Sequence, residues 1–141
     1  MKTLEHLKNY SGHQVQDHLD MSADIPLHRG LVAQGDIMII PEEMWARNGL
    51  QASTKMPAQP IPASGIVILA GNHNHVLVAE PSAATWTTGV VDSKNLALGT
   101  IDVTTEAYIL HEEHGATGLA AGRYIVRASR EQATIIRRVA D

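Results

Sequence analysis

The chain has 141 residues, enough for one domain with a sizeable core, or one domain plus an appendage. A formal net charge of −4 argues against a dominant nucleic-acid or membrane role. With no cysteine, disulfides, thiolate zinc sites and cysteine nucleophiles are excluded. Any metal must then be held by histidine, carboxylate or water, donors that suit zinc, iron, nickel, copper or manganese.

Aromatic residues are scarce and phenylalanine is absent, so the core must be built from Val, Ile, Leu, Ala and Met. Residues 1–20 carry an apolar stripe at Leu4, Leu7, Val15 and Leu19 that predicts a helix interrupted at Ser11-Gly12. The spacing of His6, His13 and His18 within it puts no two at the i, i+4 separation of a helical ligand pair, so they read as surface residues. Charges in "MKTLEHLKNY" stand where a signal peptide needs an apolar run, and no run approaches the roughly 20 residues of a membrane span; the expected location is cytoplasmic.

"MSADIPLHRG" (21–30) reads as a linker, which makes residues 1–30 a helical N-terminal extension and residues 31–141 a β-rich domain. "LVAQGDIMIIP" pairs a Gly-Asp turn with a short buried strand ended by Pro41. Residues 41–64 hold Pro41, Pro57, Pro60 and Pro62 and predict a long surface loop with one helical turn near Trp45. From Gly65 the chain turns to short strand-like runs: 65–70, 75–80, 85–92, 105–112, 122–128 and 133–141. Gly, Asp and Asn separate them. That rhythm predicts a mainly β fold, a single small β-barrel or sandwich, with 65–70 and 75–80 as a hairpin.

Two histidine pairs stand out. His73 and His75 sit one residue apart, which on a strand puts both on one face about 7 Å apart, within reach of one ion. His111-Glu112-Glu113-His114 ends an apolar run; with two intervening residues it lacks the spacing of the helical metalloprotease motif. If the strands bring the pairs together, His73, His75, His111 and His114 become ligands. Glu112 and Glu113 are then candidates for a carboxylate ligand, an orienting partner or a catalytic base. Three neutral ligands with an open position would make a catalytic centre whose bound water has a pKa near about 7; four would close it as a structural site. The alternative is polar turn residues at strand ends. No nucleophile elbow and no phosphate-cradling loop is present.

Arg123, Arg127, Arg130, Arg137 and Arg138 crowd the C-terminal end, and Arg123 and Arg127 share a strand face with Ile125. Phosphate contact through them is opposed by the overall acidity and the lack of aromatic platforms. A further alternative is a non-enzymatic binding or assembly module, homo-oligomeric or phage-associated, using the N-terminal extension and the 41–64 loop as partner-binding arms.

The spacing of His73, His75 and Glu80 resembles the first motif of the cupins, small β-barrels with a metal centre. That resemblance implies Glu80 as a ligand; the sequence departs from it in having no histidine after Gly122. The chain also resembles a family of small, uncharacterised bacterial and phage proteins. The residues that carry this are Gly35-Asp36-Ile37-Met38, His73-Asn74-His75, "HEEHGATGLAAGRYIVRASRE" and "RRVAD". It implies that both histidine elements belong to one domain and supplies no activity. A metal-dependent hydrolytic or cupin-like reaction is the functional expectation, with zinc, iron, nickel or manganese as cofactor.

Overall fold

A computed structural model describes residues 2–129. Within them one α-helix and eleven strands follow in order: α1 (Leu4–Ser11), β1 (Leu27–His28), β2 (Val32–Gln34), β3 (Ile37–Pro41), β4 (Leu50–Ala52), β5 (Gln59–Pro60), β6 (Ile66–Leu69), β7 (His75–Val78), β8 (Ala84–Thr87), β9 (Val90–Asp92), β10 (Ala97–His111) and β11 (Gly115–Ala128). The protein is mainly β, as the pattern of short apolar runs predicts. The expected strand at 133–141 and Arg130, Arg137 and Arg138 lie outside the described residues.

The long β10–β11 hairpin is the frame. Its ladder slips register between Val103 and Glu106, and there the N–H groups of Thr104 and Thr105 both turn to the carbonyl of Ala83, at 2.8 and 3.3 Å. A bulge of this kind bends a strand and increases its twist. Both flanking partners change across it. On β10, β8 pairs with residues 100–103 and β7 with residues 108–111. On β11, β3 pairs with residues 124–128, whereas β1 runs parallel to Gly118 and Leu119. The result is two leaves, β1-β11-β10-β7-β6 and β2-β3-β11-β10-β8-β5, joined through the bent hairpin.

Distances require the leaves to fold over each other. Gln34 pairs with Ile37, and Ile37 with Ala128, yet the Gln34 amide reaches the Ile109 carbonyl at 2.7 Å and the Thr117 hydroxyl at 3.1 Å. Thr117 and Ala128 would stand about 36 Å apart on a straight strand. Folding traps one core between the leaves, including Ile37, Ile39, Ile101, Trp86 and Val126 from one and Ile68, Leu77, Ile109 and Leu119 from the other. The edges at β2 and β6 do not pair with each other among the described residues, so of the expected barrel or sandwich the closed barrel is not formed. A sheet doubled at a bulge buries its inner face without rolling shut.

The outer faces are covered too. Gly12, with φ +79°, ends α1 in a left-handed cap. The helix lays Leu4 and Leu7, joined by Val15 and Ile25, on Val76, Val78, Tyr108 and Leu110. This explains why β7 is buried at every position, the inner side chains by the opposite leaf and the outer ones by α1. On the other leaf, Trp45 and Leu50 from the proline-rich 41–64 stretch cover Ile40 and Ile125. That stretch carries two single 3-10 turns together with β4 and β5, and β4 pairs with β9 as a separate ribbon. No helix among the described residues is long and apolar enough to cross a membrane.

Arg127 ties this cover down. Its guanidinium forks onto Asp92, donating Nε–H at 3.1 Å and Nη2–H at 2.6 Å, and Nη2 also donates to the Asn48 carbonyl at 2.9 Å. Burial raises the Asp92 carboxyl, but the hydrogen bonds from Arg127 and from the N–H groups of Lys94 and Leu96 more than offset it, and the net shift is downward. Arg127→Ala leaves a buried carboxylate without its counter-ion and is expected to lower stability by about 3–5 kcal/mol in urea denaturation. A variant within about 1 kcal/mol of the parent would show that the pair does not hold the cover.

The candidate histidine site

Inner-face side chains on leaf β1-β11-β10-β7-β6 alternate as Ala107, Ile109 and His111 on β10, and as Leu77 and His75 on β7. The register places His111 directly opposite His75 across the ladder. The two imidazoles therefore end the core rather than decorate a wet surface, and they are 6% and 2% exposed. Their ring centroids are 4.5 Å apart. The β2–β3 turn, Gly35-Asp36, arrives over them from the opposite leaf.

A buried imidazole needs partners, and His75 has two. The side-chain amide of Gln34 donates to Ile109 and Thr117, which fixes its orientation and leaves Oε1 facing Nδ1 of His75 at 2.8 Å. An oxygen acceptor there requires a proton on Nδ1. Nε2, the other ring nitrogen, stands 2.8 Å from Oδ1 of Asp36. Burial lowers the pKa of His75, and His114 adds to the shift; the hydrogen bond and charge of Asp36 oppose it without reversing it.

His111 is held in the opposite tautomer. The backbone N–H groups of Glu113 and His114 both donate to its Nδ1 at 3.1 Å, so the ring's proton sits on Nε2. Burial, together with His75, His114 and His73, lowers its pKa to about 4. The Glu112-Glu113-His114 turn closes at Gly115 with φ +83°, a conformation open to glycine. It delivers His114 with its ring 4.5 Å from that of His111. Gly35, with φ +58°, leaves room for that ring: a Cβ added there would come within 3.1 Å of His114 Nε2.

His73 joins from a turn rather than a strand, because β7 begins at His75. Asn74 accepts the Gly71 N–H at 3.3 Å and reverses the chain there. The His73 ring meets His111 edge-on at 5.7 Å, and its Nδ1 lies 3.1 Å from Glu112 and its Nε2 3.8 Å from Glu113. All four histidines thus gather, with Glu113 and Asp36, around a cleft of about 310 Å³. Glu80 does not join them. It lies two residues beyond the far end of β7 from His75 and pairs with Lys2 at 3.0 Å. Arg123 is likewise engaged, with Glu42 at 2.8 Å and over the Trp45 ring at 5.2 Å.

Gln34 and Asp36 are the site residues that histidine spacing does not reveal. In the sequence Asp36 stands out as half of a turn and as part of the Gly35-Asp36-Ile37-Met38 element of the family resemblance, neither of which marks it as a site residue, and Gln34 carries no signal beyond being a polar residue just before them. Among the described residues, no three His, Asp or Glu side chains already converge as a ready metal cage.

The fold and site define a folded-over β protein with a histidine- and carboxylate-lined cleft between its leaves. The chain belongs to the family described as Domain of unknown function (DUF8820), whose model matches residues 33–129. That span contains every residue of the cleft named above. No curated protein and no solved structure matches the chain.

The depressed pKa of His111 has a consequence for stability. Its folded value of about 4 lies below the ordinary 6.5 of an unfolded histidine. The unfolded chain therefore takes up a proton that the folded chain refuses, and stability is full above about pH 6.5 and falls toward about pH 4. For the metal-free protein, urea denaturation is expected to show a loss of about 2 kcal/mol from this residue between pH 8 and pH 5. His75 acts in the same direction. A His111→Phe variant should flatten that slope, and an unchanged slope would refute the assignment.

Proposed function

We propose that the cleft binds a divalent transition-metal ion through Nε2 of His75, the Asp36 carboxylate and His114. The observation that carries this is the 2.8 Å contact between His75 Nε2 and Asp36 Oδ1. With its proton committed to Nδ1 by Gln34, neutral His75 turns a lone pair toward the carboxylate, and two lone pairs at that distance repel unless a cation neutralises them. A proton is one such cation, but burial disfavours the imidazolium. A metal ion is the other. Neighbouring donors around an ion at about 2.1 Å stand about 2.9–3.4 Å apart, close to the spacing seen here.

Gln34 fits the role of the carbonyl that orients a ligating imidazole and fixes its tautomer. His114, exposed on the hairpin turn, has the freedom to complete the set. A bound divalent ion would polarise a coordinated ligand or water, which makes a hydrolytic reaction the chemical class that suits the site. Glu113 lines the same cleft and is placed to hold a proton, while Glu112 orients His73. Glu80 has no part in this reading.

Calorimetric titration of metal-stripped protein with Zn²⁺ or Ni²⁺, paired with elemental analysis, tests it. One equivalent is expected to bind. His75→Ala should abolish binding, Gln34→Leu should weaken it by about 10–100-fold, and Glu80→Ala should leave it unchanged. A parent protein that takes up no metal, even with an excess supplied, would sink the reading.

A further inference from the structure

The tautomer of His111 points to a different task from that of its neighbours. Its Nδ1 lone pair is taken by two backbone N–H groups at 3.1 Å each. Those donors leave no space for a proton on Nδ1, and a neutral ring must then carry its proton on Nε2. A protonated Nε2 has no lone pair for a metal.

Among the described residues nothing accepts that N–H. Every fully buried side-chain nitrogen or oxygen among the described residues has a hydrogen-bond partner. With none of the described groups capping it, the N–H opens into the cleft that His111 lines. The His111 ring itself stands beside both proposed histidine ligands, its centroid 4.5 Å from those of His75 and His114.

We infer that His111 is a specificity-determining hydrogen-bond donor that selects a small carboxylate as the ligand of the cleft. The inference rests on the metal reading above. One carboxylate oxygen meets the ion held by His75, Asp36 and His114, and the other accepts the His111 Nε2–H. Without the ion, Asp36 and Glu113 give the cleft two negative charges and repel an anion. Carboxylate binding is therefore conditional on metal, whereas the tautomer is a property of the metal-free fold.

Two measurements separate these layers. Long-range ¹H–¹⁵N correlation spectra of metal-free, ¹⁵N-labelled protein, with His111 assigned by the peak missing in His111→Gln, should show protonated Nε2 and bare Nδ1. The reverse tautomer overturns the inference. Co²⁺-loaded protein titrated with acetate, followed through the visible Co²⁺ bands, supplies the second. His111→Phe, and His111→Gln should the first variant fold poorly, is expected to hold Co²⁺ within about threefold of the parent yet bind acetate about tenfold more weakly. If either variant loses Co²⁺ as His75→Ala does, His111 is a ligand; the inference falls while the metal reading survives. Unchanged acetate affinity also overturns it. A parent that takes up no Co²⁺ overturns the metal reading and the carboxylate pairing together, even where the tautomer is as expected.

Discussion

The bend in the β10–β11 hairpin governs the rest of the molecule. A straight hairpin of this length would leave a wide two-faced sheet whose β2–β3 turn lay far from the β10–β11 turn. The slip between Val103 and Glu106 folds the ladder, and the Ala83 carbonyl collects the N–H groups that the slip releases. Tyr124 reinforces the fold there, donating its hydroxyl hydrogen to Ala120 at 2.8 Å, with the His28 carbonyl also in reach at 3.1 Å. Because the two leaves then share one core, the Gly35-Asp36 turn of one comes to rest on the histidines of the other.

A site built this way is half core and half cleft. Leu77 and Ile109 sit one ladder step behind His75 and His111 and exclude water from their back edges. Asp36, Glu113 and His114 face solvent at the front. Burial supplies the pressure against charge on the rings, and Gln34 and the hairpin amides decide which nitrogen of each ring holds its proton. His75 and His111, although direct cross-strand neighbours, are thereby set to opposite tautomers. Their partners come from different places: a side chain across the leaf boundary for one, the local turn backbone for the other. Opposite tautomers mean opposite chemistry, a lone pair toward the cleft in one case and an N–H in the other.

Elsewhere the fold spends its polar groups on cohesion. Arg123 and Arg127 share a strand face with Ile125, the arrangement that suggested phosphate contact, but both guanidinia turn to carboxylates of this chain. Arg127 is nearly buried by the cover that residues 42–52 and β9 place over the leaf. Lys2 likewise binds Glu80 and Glu106 and seats the N-terminal segment beside Tyr108.

Much of the β character was legible in the sequence, because alternation and turn residues are local signals. The Gly-Asp turn and the 66–78 hairpin follow from backbone preferences of the residues that occupy them, whereas the helix expected over 1–20 with a break at Ser11-Gly12 ends at Ser11 and does not resume after Gly12. That each histidine pair stands at the end of an apolar run was legible for the same reason, but their meeting depends on β7 pairing with β10, which no local signal gives. Glu80 shows the limit: it matched a spacing in sequence, but strand β7 runs away from the site and leaves Glu80 beyond its far end, paired with Lys2. Strand β11 was longer than "GRYIVRA" suggested, since Gly115–Ala121 becomes strand only by pairing with β10 and β1. The open, doubled sheet in place of a barrel, the arrival of Gln34 and Asp36 and the two tautomers belong to tertiary structure alone. Each depends on which strands lie beside which and on where the ladder slips, and no window of neighbouring residues carries that information.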